Sequence, residues 1–208
     1  MWTVPAFRRA TLINMFMCFL IANNGLMAFG IYANVYFRKL QDYTGEEIVS
    51  PRIATNMFEG MHIIGQILAI FLVKYMGRKT LINMGMIGTS VIAIVASIFF
   101  YKAMTLAVML SIFASIIFFI ATTLDTMFIY VTETSQDVVL GFINVSFGAV
   151  IMLSTNFTLW LMNTYSYYGF FALNLTSGII CSIFIMLQLK ETRGLSDREK
   201  KNLYSDTL

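Results

Sequence analysis

The sequence predicts an all-α membrane protein, a six-transmembrane-helix bundle with both ends on one side. Three observations predict it. Of 208 residues, 58% are hydrophobic and 12% charged, whereas a soluble domain carries about a quarter charged residues. Six stretches approach the roughly 20 apolar residues that a helix needs to cross a bilayer core about 30 Å thick. The basic residues between them are distributed unevenly. Transmembrane β-strands would be about ten residues long and alternate strictly, a pattern these stretches lack.

The first expected span, 11–36, is uncharged between Arg9 and Arg38, and the second, 53–73, contains Glu59 and His62. The third, 81–101, is clean, and the fourth, 103–131, carries Asp125. No charge separates the fifth, 138–161, from the sixth, 168–189, so their boundary is placed at the polar, aromatic run Asn163-Thr164-Tyr165-Ser166-Tyr167, a composition suited to the membrane interface. Residues 1–189 form the expected transmembrane domain, and 190–208 a short mixed-charge tail. In that tail Ser196 and Glu199 have the spacing of a capping box.

With six spans, Arg8, Arg9, Lys74, Arg78, Lys79, Lys190, Arg193, Arg198, Lys200 and Lys201 share one side, against Arg38, Lys39, Arg52 and Lys102 on the other. The positive-inside rule then places both termini in the cytosol or an organelle matrix. Cys18 and Cys181 fall inside spans, which argues against a disulfide or a metal pair. A single histidine, with no nucleotide loop and no Ser/His/Asp set, gives no basis for an enzyme, a cofactor or nucleic-acid binding. The sequons at Asn144, Asn156 and Asn174 lie within expected helices and read as chance. Both prolines, Pro5 and Pro51, lie outside the spans, so the helices read as continuous and the bundle as static, with Gly25, Gly30, Gly60 and Gly65 as the places left for bending or close packing.

Several motifs recur in a recognisable order. Lys190-Glu191-Thr192-Arg193-Gly194-Leu195-Ser196 is similar to a P-E-T-K-G-L-S signature. Phe71 to Leu81, containing Lys74, Gly77, Arg78 and Lys79, is similar to an F-L-V-D-R-x-G-R-R-T-L turn, and Tyr130-Val131-Thr132-Glu133 to the end of a fourth helix. In this order they resemble the C-terminal half of a sugar porter of the major facilitator superfamily. The resemblance implies a six-helix half whose signature positions are Gly77, Arg78, Lys79, Glu133, Glu191, Thr192, Arg193 and Gly194. It also shows departures: the amides such porters use to hold sugar hydroxyls align with Ile21, Ala22 and Met27, an N-W-x-x-N pattern retains only Asn156, and Lys74 replaces an acidic residue.

Unpaired buried polar groups cost about 1–3 kcal/mol each, so a sugar site stripped of amides loses its means of holding hydroxyls. The expectation is a transport-incompetent half-transporter acting as a structural, lipid-binding accessory subunit among other membrane subunits. A mitochondrial inner-membrane respiratory or ATP synthase complex is its expected setting. The alternative is a half-size sugar or solute carrier, working as a homodimer or with a separate N-terminal half. It would need Asn23, Asn24, Glu59, His62 and Asn156 to line one polar cavity. Glu59 and His62, one turn apart, are either a relay or binding pair, or groups bonding a neighbour or reaching water. Asp125 is a candidate contact to a neighbouring subunit or lipid, and Lys74, Arg78 and Lys79 to another subunit or to an anionic phospholipid such as cardiolipin.

Overall fold

The computed structural model describes residues 5–46, 48–135 and 137–204; the ends of the expected domain and tail, 1–4 and 205–208, lie outside the described residues. Every regular element among the described residues is helical. Five stretches are long and apolar enough to cross a membrane: Arg8–Thr44, Pro51–Tyr75, Arg78–Tyr101, Thr105–Thr134 and Val139–Gln188.

The first pass is two helices, α1 (Pro5–Ala22) and α2 (Leu26–Thr44). Between them the chain turns through Asn23-Asn24-Gly25, where Gly25 takes φ 84°, a left-handed conformation open to a residue without Cβ. The second pass, α3 (Pro51–Tyr75), starts with proline in its first turn, where the missing N–H is no loss. The third is α4 (Arg78–Tyr101). The fourth comprises α5 (Thr105–Phe119), a π turn over Ile120–Leu124, and α6 (Asp125–Thr134).

These interruptions correct the expectation of continuous helices. Without proline, a glycine in the left-handed region breaks the first pass, and an extra residue per turn distorts the fourth. The π turn sits where Gly85 of α4 leaves no room for a side chain: a Cβ there would lie 1.9 Å from Thr123 Oγ1 and 2.2 Å from Thr122 Oγ1. Close helix approach, rather than backbone chemistry alone, accompanies the irregularity.

The last membrane stretch belongs to α7 (Asp137–Gln188), 52 residues interrupted at Ser166 with φ 57° and ψ −152°. A straight helix of that length would extend about 78 Å, more than twice a bilayer core. Instead the chain folds back, because a Cβ on Gly169 would lie 2.8 Å from the carbonyl oxygen of Leu161, whereas eight residues of straight helix span about 12 Å. The five stretches therefore make six passes, and the reversal falls within the polar, aromatic run. A short α8 (Asp197–Lys201) follows, capped reciprocally by Ser196 and Glu199.

Aromatic side chains join the first, second and last passes. Phe29 lies 5.2 Å from Phe58 and 5.4 Å from Phe170, between ring centroids. At the opposite end of the bundle Asn14 donates to Thr134 Oγ1 at 2.9 Å and Ser135 Oγ at 2.8 Å. The start of the first pass thus meets the end of the fourth, on the basic side of the bundle.

Candidate functional site

The sequence-derived polar candidates do not converge on one cavity. Asn24, in the turn that breaks the first pass, is fully buried and accepts a hydrogen bond from Asn174 at 3.3 Å. Asn23 turns back onto the Phe19 carbonyl at 2.8 Å. Asn156 is exposed and bonds the Met152 carbonyl of its own helix at 2.9 Å. Glu59 is exposed on α3, while His62 is half-buried, its ring 5.3 Å from Phe58. Asp125 is half-buried at the start of α6. Asn174, on the last pass, is the residue that sequence reading missed; nothing in its sequence context points to Asn24 in the first pass.

Two cavities are largely apolar. One of about 350 Å³ lies between α4 and residues 175–186, and one of about 580 Å³ is bordered by Phe157, Tyr165, Tyr168 and Ala172. None of the five polar candidates lines either. Ile21 and Ala22 are fully buried in the core, with Met27 packed beside it.

The signature residues, by contrast, meet. Glu133, at the end of the fourth pass, accepts from Arg78 at 3.2 Å, Lys200 at 3.0 Å and the Thr192 hydroxyl at 2.7 Å. Glu191 lies over the start of α4, accepting from the backbone N–H groups of Arg78 (2.8 Å), Thr192 (3.0 Å) and Arg193 (3.1 Å). A carboxylate at a helix N-terminus satisfies orphan donors and complements the helix dipole. Gly77 permits this, since a Cβ there would lie 2.1 Å from Glu191 Oε2. Arg193 reaches the Tyr75 carbonyl, Gly194 turns the chain with φ 83°, and Lys79 donates to the Met186 carbonyl at 3.0 Å. Lys74 is exposed and lies over the Tyr75 ring.

A hydrogen-bonded ring closes the knot. The Lys190 N–H donates to Tyr204 Oη at 3.3 Å, and Tyr130 Oη donates to the Lys190 carbonyl at 3.0 Å. The 2.6 Å contact between the two tyrosines is then donated by Tyr204. Burial raises the Tyr204 pKa above its ordinary value of 10.0. A pKa raised on folding contributes stability that is complete below about pH 10 and is lost as pH rises through the folded value. Subtracting the alkaline absorbance titration of Tyr204→Phe from that of the wild type should leave a tyrosinate signal half-formed above pH 10. A midpoint at or below 10 would show that the tail is not docked.

A family model described as sugar (and other) transporter matches residues 1–204. Among curated proteins, none matches the chain significantly.

Proposed function

We propose that this chain, which belongs to the sugar (and other) transporter family, works as one membrane-embedded part of a larger assembly. In it, another helical unit covers α3 and residues 139–165. One observation carries the reading: α3 is the least enclosed pass, with 17% of its most apolar stretch buried, against 67% for Thr105–Thr134. Its buried positions, Ala54, Phe58, Gly65 and Ala69, form one stripe. Asn56, Glu59 and Gln66 are exposed and, at 100° per residue, fall off that stripe, from its flank (Gln66) round to the opposite face (Asn56). A carboxyl at the centre of a membrane helix costs about 2.5–3.5 kcal/mol. A row of polar groups pointing away from the bundle's own core is therefore better satisfied by protein than by lipid.

The fifth pass supports the same reading. Gly141 and Gly148, one heptad apart in its first half, have open space beside them, and Asn156 is exposed farther along. Small residues let helix backbones approach closely inside a bilayer. The role we assign is structural: the chain braces a partner and supplies no sugar site of its own, because Ile21, Ala22 and Met27 offer no amides.

A second reading is favoured by the broken first pass with its buried Asn24–Asn174 pair. In it, the covering unit completes a path for a solute. Photo-crosslinking separates the outcomes. A crosslinker at Gln66 or Met152 in native membranes should form a protein adduct, whereas one at Leu110 should label lipid. Lipid labelling alone at all three positions would remove the assembly. Saturable solute uptake abolished by Asn24→Leu would replace the structural role with the carrier.

A further inference from the structure

The tightest approach of α4 to the last pass leaves a trough beside it. A Cβ on Gly178 would lie 1.9 Å from Ser90 Oγ and 2.9 Å from the Met86 carbonyl. Ser90 and Gly178, with Ser182, are the buried residues of a cavity of about 350 Å³. Its walls are apolar and exposed on the outside of the bundle: Ile87 and Val91 on α4, Ile183 and Met186 on α7. Three small residues thus form a floor between two apolar ridges that face lipid.

We propose that this trough seats one acyl chain of an anionic phospholipid from the leaflet on the basic side, with its headgroup phosphate at Lys79. Length supports the assignment. From Leu175 to Met186 the trough runs along about 16 Å of helix, about half of a 30 Å hydrocarbon core and therefore one leaflet. Size supports it too, since a packing helix is about 10 Å across and does not enter a space of this volume, whereas a single hydrocarbon chain does. Charge then selects the headgroup. Lys79 Nζ sits 3.0 Å from the Met186 carbonyl, at the trough's basic-side end.

An ammonium has three donors, and the carbonyl takes one, leaving two for phosphate oxygens. The hydroxyl of Ser90 is internally satisfied by the Met86 carbonyl at 2.8 Å, so this part of the floor makes no demand on an apolar guest.

The test uses the full chain, reconstituted in phosphatidylcholine bilayers doped with a minority of phosphatidylglycerol, then extracted gently and weighed by native mass spectrometry. One retained phosphatidylglycerol per chain is expected. Lys79→Gln should lower its retention about fivefold, the effect of one basic residue near a charged membrane surface. Val91→Trp, which fills the trough from a lipid-facing position, should abolish retention. Lys74→Gln, removing an exposed charge on the same side, should change nothing. Equal retention of phosphatidylcholine, an unaltered Lys79→Gln, or an equal loss in Lys74→Gln would overturn the site and leave annular lipid only. Unfolding temperatures in pure phosphatidylcholine check that each variant folds; if Val91→Trp does not, Lys79→Gln against Lys74→Gln decides.

Discussion

Replacing Glu133 by alanine should loosen the basic end of the bundle at a cost of about 2–3 kcal/mol. One carboxylate there holds three chain segments: Arg78 from the start of α4, Thr192 from the segment after α7, and Lys200 from α8. The side chains of Glu133, Arg78 and Lys200 are 14–18% exposed. Water therefore screens them somewhat, and the loss falls below the 3–5 kcal/mol of a fully buried pair. Glu133→Gln retains an acceptor for Thr192 while removing the charge, and should cost about half as much. Thermal unfolding in nanodiscs measures both variants. Trypsin cleavage after Lys200 and Lys201 should accelerate in parallel, as α8 leaves its anchor. A Glu133→Ala protein within 0.5 kcal/mol (the ordinary range for surface substitutions) would mean that the knot does not hold the passes together.

Gly178→Leu should be at least as damaging, at about 3 kcal/mol. The added carbons would meet Ser90 Oγ and the Met86 backbone carbonyl, and backbone yields less readily than a flexible side chain. Even Gly178→Ala should destabilise, because the first carbon already clashes. Gly141→Ala provides the contrast: nothing lies within 4 Å of its added carbon, and a helical glycine replaced by alanine gains roughly 0.5–1 kcal/mol. Opposite signs at these two glycines, read as unfolding temperatures in the same nanodiscs, would show that α4 packs as described. A neutral Gly178→Ala would show that it does not.

Part of the site was readable before any fold was known. Gly77, Arg78, Glu133, Glu191 and Thr192 stand out as motifs, because a helix start, a helix end and a tail signature each have local spacing. That they meet around two carboxylates was not readable, since Arg78 lies 55 residues from Glu133 and 113 from Glu191 in the chain. The polar candidates fared differently. Asn23, Asn24 and Asn156 are chemically alike in sequence, yet one is locked inside against Asn174 and another bonds only its own turn. Residue type states what a side chain can bond, not which way its helix is rotated.

The sequence by itself determined that the chain is helical, crosses a membrane repeatedly and belongs with the sugar porters. Composition decides the solvent of each stretch, and short motifs survive in linear order. Tertiary structure alone decided where helices break within a pass. Gly25 becomes a left-handed turn and Ile120–Leu124 a π turn in a bundle where α4 presses its small residues against its neighbours. Only packing also distinguished an enclosed pass from α3, whose polar row points outward. Burial is a relation between segments distant in the chain, and no single segment encodes it.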